Sequence, residues 1–351
     1  MIDEPDLLNL MLDDESKQSE LYKPGPYWQG YRRRIVKAIK KHGIGQFRRT
    51  PAIGKGFADV IPSDPFQLYG ENNSIKNSLA RMITQAPKMR SIFQLYQNQI
   101  DLYIRSYMRY KSEYYECKYK DWFLTMAKQY PLPETTHAGC LDTVAFENVA
   151  YSTLYIDFLL RIWNFNQWIH FQDMRSVMEI GGGFGAFPHL LVSMYANIKK
   201  IIYLDIPPMI YLGTQYLKHF FGAAIKDYRV TREWETIRFA ENDDLEIVCL
   251  CPWQIERLDV KLDLLWNSAS FSEMSPAIVE NYAHYIKKNS THNTKLCLLL
   301  NKTTPHEKYD ISLPDHIHNI FLSEFQLQQM EPKLEHKFHS LYYLGVRNPT
   351  L

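Results

Sequence analysis

Apolar residues in the first half of the chain recur at intervals of three and four. This spacing extends over residues 78–130 and again over 146–170, with few glycines or internal prolines, and it is typical of long amphipathic helices. A proline-containing stretch, 131–139, separates the two helical patterns. The first half therefore predicts a mainly helical region over residues 21–172.

After residue 173 the pattern changes to short apolar runs that alternate with helix-like segments. Alternation of this kind is typical of a parallel sheet with crossover helices on both faces. We therefore expect an α/β domain over residues 173–351, with five strands followed by a closing pair. The predicted strands are 176–180, 201–204, 246–250, 262–266 and 295–300, and the closing pair is 318–321 and 340–346.

Charge is unevenly distributed near the N-terminus, although the formal net charge of the chain is only +1. Residues 1–20 hold seven acidic side chains and one lysine, which predicts a flexible acidic segment. Residues 21–58 hold ten Lys or Arg and no acid. The basic stretch 32–49 is either a solvated helix face or a surface for an anionic ligand, such as a phosphate-linked glycan or a membrane interface.

Composition indicates an ordinary globular protein, with 46% hydrophobic and 23% charged residues. The five cysteines show no C-x-x-C spacing, which fits a reducing cytoplasm. No apolar run approaches the roughly 18 residues that a membrane span requires. We expect a cytoplasmic protein without a nucleic-acid partner, and we leave peripheral membrane contact and oligomerisation open.

The first predicted strand of the sheet leads directly into a glycine turn, Gly181-Gly182-Gly183-Phe184-Gly185. Ligands bind at such carboxyl ends of parallel strands, and glycine permits both unusual backbone angles and close approach of a ligand. The turn also satisfies the dinucleotide pattern G-x-G-x-x-A. Glycine spacing alone therefore does not separate a nicotinamide enzyme from one that uses S-adenosylmethionine.

Two carboxylates near this turn favour S-adenosylmethionine. Glu179 lies two residues before the first glycine, where it suits the cationic amino-acid end of the donor and would repel a dinucleotide pyrophosphate. Asp205 ends the second predicted strand, where it can accept hydrogen bonds from ribose hydroxyls. In addition, the chain shows no Tyr-x-x-x-Lys base of the kind that a dehydrogenase would use.

Four motifs resemble one family. They are 179–185 (EIGGGFG), 205–208 (DIPP), 251–258 (CPWQIERL) and 267–274 (NSASFSEM), and together they are similar to the sugar O-methyltransferases of bacterial surface-glycan clusters. The resemblance extends roughly over residues 173–347. It implies a Rossmann-like class I methyltransferase sheet, S-adenosylmethionine as donor with S-adenosylhomocysteine as product, and a sugar hydroxyl of a surface polysaccharide, or of its nucleotide- or lipid-linked precursor, as acceptor.

The motifs also name candidate site residues. Glu273 is the predicted general base, although it also suits the N-terminus of the next helix. Asn267 should lie beside the reactive methyl, and His189 near the cofactor. His284 and His306 are further histidines that could reach the site. The predicted cofactor-binding residues are Glu179, Gly181, Gly182, Gly183, Gly185, Asp205, Ile206, Pro252, Trp253 and Asn267.

Other functions stay open at this stage. No spacing typical of metal ligands occurs, so we expect no tightly held metal, while a catalytic Mg²⁺ is neither indicated nor excluded. The alternatives are a methyltransferase for another small-molecule acceptor, an NAD-dependent oxidoreductase or epimerase, and a non-catalytic scaffold. The fold itself does not name the substrate.

Overall fold

The computed structural model describes residues 1–54, 87–302, 310–332 and 340–348. The chain forms two compact units. The first comprises Met1–Gly45, Tyr130–Pro133 and Asp157–Leu351, and the second comprises Gln46–Gln129 and Glu134–Ile156. The N-terminal residues thus belong to the unit that contains the sheet, which differs from the predicted division at residue 173.

Within the described residues, the secondary structure begins and ends as follows. The helices are α1 (Pro5–Ser16), α2 (Pro26–His42), α3 (Pro51–Gly54), α4 (Pro87–Gln129), α5 (Thr153–Phe165), α6 (Ala186–Met194), α7 (Met209–Phe221), α8 (Tyr228–Thr231), α9 (Pro276–Asn289) and α10 (Pro314–Leu322). The strands are β1 (Thr143–Phe146), β2 (Val149–Ser152), β3 (Ser176–Ile180), β4 (Lys200–Leu204), β5 (Ile225–Lys226), β6 (Glu246–Leu250), β7 (Leu262–Ser268), β8 (Ser290–Asn301), β9 (Phe325–Pro332) and β10 (Ser340–Arg347). Short 3-10 turns lie at Glu20–Tyr22, Phe47–Arg49, Phe171–Asp173, Gly222–Ala224, Pro252–Arg257 and Ser270–Glu273.

The first unit is built on an eight-stranded sheet with the order β5-β6-β4-β3-β7-β8-β10-β9. Strands β3 to β8 pair in parallel, whereas β10 runs antiparallel to both β8 and β9. The fold is therefore Rossmann-like, and the five predicted parallel strands are confirmed. The chain order reverses between β3 and β7, and such a switch point is where open α/β sheets bind ligands.

One member of the predicted closing pair was misplaced. Residues 318–321, predicted as a strand, lie in helix α10, and the true partner of β10 is β9, a few residues later. Pro314 begins the helix, and Ile317 and Phe321 are buried on one side of it. A spacing of four on a buried face is helical, so the segment docks on the sheet as a helix.

Both faces of the sheet are covered by helices. All five residues of β3, β4 and β6 are buried, as strands covered on two sides require. On one face, Leu265 of β7 joins Val279 and Ile286 of α9 in the main apolar core. On the other face, the ring of the next residue, Trp266, stacks on Phe187 of α6 at 4.2 Å.

The N-terminal segment, predicted to be flexible, contains helix α1. Pro5 occupies its first turn, and Leu7, Leu8 and Met11 are buried along one side. The acids of this segment form ion pairs with residues around α8. Glu4 pairs with Arg229 at 3.0 Å, and Asp14 pairs with Arg232 at 3.2 Å. The buried apolar side and these ion pairs explain why the segment is ordered.

The basic segment forms helix α2, whose buried side consists of Ile35, Ala38 and Ile39 and whose end is Gly43. Arg33, Lys37 and Lys40 are exposed on the opposite side. The described arrangement is therefore that of an amphipathic surface helix, and its exposed cations fit both interpretations of this charge.

The second unit contains α3, α4 and the hairpin β1–β2. Residues 87–129 of the predicted helix 78–130 are helical, and 78–86 lie outside the described residues. The predicted helix 146–170 begins only at Thr153, because the preceding residues form the hairpin. Its turn residues Glu147 and Asn148 have φ values of 48° and 67°, which suit a two-residue turn. Among the described residues, no helix combines the length and apolar character of a membrane span.

Candidate functional site

The glycine turn follows β3 at the switch point of the sheet. Gly181, Gly183 and Gly185 have φ values of 72°, 62° and 86°, a region that strains residues with a Cβ. A Cβ at Gly181 would overlap the hydroxyl of Ser270, and one at Gly182 would overlap the carboxylate of Glu179. Glycine is therefore required here both by the backbone angles and by the close packing around the turn.

Glu179 lies beneath this turn and is only 1% exposed. Its Oε2 atom is buried and has no hydrogen-bond partner within the described part of the chain. Burial raises the pKa of Glu179 well above its ordinary value; the charge of Asp205 raises it further, and that of Arg161 opposes the shift. The buried Oε2 of Glu179 is therefore a hydrogen-bond acceptor without a donor, and it lies beside the glycine turn.

Asp205 follows β4 and is bound to the same turn. Its Oδ2 accepts a hydrogen bond from the Gly183 amide at 2.7 Å, and its Oδ1 accepts one from the Ile206 amide at 2.7 Å. Burial raises the pKa of Asp205 to about 7, although both amides favour the ionised form. Each carboxylate oxygen can accept a further hydrogen bond, so the group is oriented and still able to bind hydroxyls.

Asn267 joins the end of β7 to the end of β3. Its Nδ2 donates to the Ile180 carbonyl at 2.9 Å and to Ser270 Oγ at 2.6 Å, and its Oδ1 accepts from the Phe271 amide at 3.1 Å. Both amide hydrogens are therefore used within the protein. The structure favours a positioning role over the predicted catalytic one, and it adds Ser270, which the sequence analysis missed.

Glu273 ends the turn that follows β7, and a residue from the N-terminal helices reaches it. Trp28 Nε1 of α2 donates a hydrogen bond to Glu273 Oε2 at 2.8 Å. Burial raises the pKa of Glu273 to about 7, the Trp28 bond lowers it, and the charge of Asp205 raises it. A carboxyl group with a pKa near neutrality suits general base catalysis.

Residues 3–22 contact the elements that follow strands β4, β5 and β6. Tyr211 of α7 binds Asp3, and Tyr228 of α8 donates to Asp14 at 2.9 Å. Tyr22 donates to Glu256, in the turn after β6, at 2.5 Å. Together with Trp28, these contacts bring residues 3–28 to the carboxyl edge of the sheet. No local sequence pattern predicts these contacts, because the partners are more than 200 residues apart in the chain.

His189, predicted to lie near the cofactor, packs between two helices in this structure. Its ring is buried in α6, where Nδ1 lies 3.0 Å from the Tyr216 hydroxyl and the ring stacks on Phe220 with centroids 4.0 Å apart. Both partners belong to α7, so the imidazole fills the contact between two helices. We therefore assign it a packing role.

The remaining candidates lie at different places. Trp253 donates to the Tyr228 hydroxyl at 3.2 Å, and Pro252 is buried at the start of the turn after β6. His284 is exposed on α9, where it lines a groove with His316, and His306 lies outside the described residues. Among those residues, no group of three or more His, Cys, Asp or Glu side chains is placed to hold a metal ion.

No protein-family model matches the chain, and no curated protein matches it. Several solved structures are similar to part of it, each with a TM-score of 0.39. The pyocyanin biosynthetic protein PhzM is 9% identical over 54% of this chain and 55% of its own. Magnesium protoporphyrin IX methyltransferase (ChlM) from Synechocystis PCC 6803 with bound SAH is 11% identical over 55% and 83%. The N-methyltransferase NodS from Bradyrhizobium japonicum WM9 is 13% identical over 56% and 95%.

The matched region thus spans about half the length of PhzM. Similarity at this level says nothing about what this chain binds or acts on.

Proposed function

We propose that this protein is an S-adenosylmethionine-dependent O-methyltransferase. The observation on which this proposal depends is the unpartnered, buried Oε2 of Glu179 beside the glycine turn. An unpaired buried carboxylate is costly, and the charge of Asp205 adds to that cost. A ligand with an ammonium group would supply the missing donor, whereas the pyrophosphate of NAD would add to the negative charge.

The residues at this edge fit the parts of the donor one by one. Glu179 would bind the ammonium group, Asp205 would accept hydrogen bonds from the ribose hydroxyls, and the glycine turn would admit the chain between them. Pro252 and Trp253 would flank the adenine. When bound, S-adenosylmethionine supplies a methyl group on a positively charged sulfur, and the cluster of carboxylates at this edge favours that charge.

Glu273 would take the proton of the acceptor hydroxyl. A hydroxyl is a weak acid, and its proton must leave as the new bond to carbon forms. The ionised carboxylate of Glu273 is held by Trp28, while Asn267 and Ser270 fix the turn in which it lies. The protein thereby orients the reacting groups and accepts the proton, which are the two tasks that methyl transfer requires.

For the acceptor, we propose a sugar hydroxyl of a surface polysaccharide or of its nucleotide- or lipid-linked precursor. The resemblance of residues 251–258 and 267–274 to sugar O-methyltransferases supports this assignment. The aromatic cluster around Trp28, the partner of Glu273, also supports it: Trp28 packs on Tyr27 and Tyr31 with ring centroids 5.7 Å and 5.6 Å apart, and flat rings offer stacking surfaces. The free cysteines fit a cytoplasmic site of action.

Calorimetry with S-adenosylmethionine and S-adenosylhomocysteine tests the donor. Both should bind the native protein, and Glu179→Gln should raise the dissociation constants at least tenfold, or by about 1.4 kcal/mol. Glu241→Gln, at an exposed position of the sheet unit, is the matched control and should change nothing. A native protein that binds neither ligand, or that binds NAD instead, would refute the donor assignment.

Methyl-labelled donor then tests the acceptor. Label should appear on nucleotide-linked sugars or on isolated surface glycans, as an ether that survives mild base. Transfer only to non-sugar small molecules would refute the sugar assignment and leave the donor assignment in place.

A further inference from the structure

Arg161 is a buried cation in the sheet unit that the reaction described above does not use. The residue is 8% exposed, and its guanidinium lies over the ring of Phe158 at 4.7 Å. One nitrogen binds Asp157, one turn earlier in α5. Its Nε is buried and lacks a hydrogen-bond partner within the described part of the chain. Such a donor is as unusual in a folded protein as the unpartnered acceptor of Glu179.

Aromatic residues on either side of Arg161 show which way this face of α5 points. Phe158, three residues before it, packs on Phe187, which follows the glycine turn, at 6.1 Å. Phe165, four residues after it, packs on Trp266 of β7 at 5.2 Å. Residues at these spacings share one side of a helix. The side of α5 that includes Arg161 therefore lies against the sheet and the start of α6.

Glu179 belongs to the same face of the sheet. It is paired in register with Trp266 across the parallel strands β3 and β7, and side chains in register point to the same side. The charge of Arg161 also lowers the pKa of Glu179, although no hydrogen bond joins the two groups. One face of the sheet thus presents a buried carboxylate and a buried guanidinium, each with an unused hydrogen-bonding atom.

We propose that Arg161 binds the α-carboxylate of the donor while Glu179 binds its α-ammonium group. The inference rests on the proposed function, because the amino-acid end of S-adenosylmethionine is the zwitterion that would satisfy both atoms. A guanidinium is suited to a carboxylate because its N–H groups can donate two parallel hydrogen bonds. Asp157 holds the guanidinium from the side and restricts its rotation.

Two donors that differ only in the carboxylate provide the test: S-adenosylmethionine and decarboxylated S-adenosylmethionine. Calorimetry gives the ratio of their dissociation constants. A general disturbance of the pocket changes both constants alike and therefore leaves this ratio unchanged. The native protein should prefer the carboxylate form. Arg161→Met, which keeps length and removes charge, should reduce that preference at least tenfold. Arg161→Lys should restore part of it.

Arg175→Met is the matched control, because Arg175 lies before β3 at the opposite edge of the sheet, and it should leave the ratio unchanged. Thermal unfolding verifies that each variant is folded. If folded Arg161→Met keeps the native ratio of dissociation constants, even with both constants raised equally, the role of Arg161 is overturned and the proposed function stands. A native protein that binds neither donor would overturn both.

Discussion

The contact between Trp28 and Glu273 allows a quantitative prediction for Trp28→Phe. The substitution keeps an aromatic ring and removes the indole N–H that donates to Glu273 at 2.8 Å. A hydrogen bond to a charged group contributes about 1.5–3 kcal/mol. Because one pKa unit corresponds to about 1.4 kcal/mol, losing the bond should raise the pKa of Glu273 by about one to two units.

The direction of the effect on activity follows from the role of Glu273. A general base works only when ionised, so turnover should rise with pH through the pKa of Glu273, about 7 in the native protein. In Trp28→Phe the rise should move upward by those one to two units, roughly to between pH 8 and 9. The variant should then be about 5- to 50-fold slower at pH 7 and should recover in alkaline buffer.

The assay is transfer of labelled methyl to the acceptor, with kcat measured across pH at saturating donor. Tyr31→Phe, in the same ring cluster, should leave the midpoint of the rise in place, which separates packing from the hydrogen bond. Glu273→Gln should abolish the rise and lower turnover by roughly 10²-fold while donor affinity is kept. If Trp28→Phe loses activity equally at every pH, the reasoning is wrong.

Four further outcomes are expected. Gly181→Ala should destabilise the fold and abolish donor binding in calorimetry, because the Cβ would overlap Ser270. Gly30→Ala, where a Cβ meets nothing within 4 Å in helix α2, should instead stabilise the protein by about 0.5–1 kcal/mol in urea unfolding. Met11→Ala should lower the free energy of unfolding by about 2–5 kcal/mol in the same measurement. If the N-terminus were flexible, the substitution would leave this free energy unchanged. Donor affinity should increase as pH rises toward about 7, because a bound cation favours the ionised form of Asp205. Binding should then release a proton, so the calorimetric heat should depend on the buffer. Equal heats in all buffers would contradict this.

The sequence revealed the parts of the site that lie in one continuous stretch. The turn 181–185 and the acid before it are local signals, because strand, glycines and helix follow one another along the chain. Asp205 was found for the same reason, since it ends a recognisable apolar strand. These elements are confirmed as parts of the fold, while their roles toward a ligand stay predictions.

The elements that were missed depend on tertiary packing. Strand β9 has a largely polar sequence and an alternating burial pattern at its start, since it is the edge strand of the sheet. Trp28 is 245 residues away from Glu273. The histidine of α6 was misjudged because its aromatic partners lie on another helix. Composition and spacing along the chain contain no information about such contacts.

The charges at the carboxyl edge connect the stability of the free protein to ligand binding. The pKa values of Glu179, Asp205 and Glu273 are all raised, chiefly by burial. Groups whose pKa is raised by folding stabilise the fold below their unfolded pKa, and that stabilisation is lost as pH rises through the folded pKa. At neutral pH these acids therefore weaken the fold, since ionising them costs more in the folded chain than in the unfolded one. A cationic ligand bound at the ends of these adjacent strands would offset this cost, so its binding should stabilise the fold most strongly above the folded pKa values of the three acids.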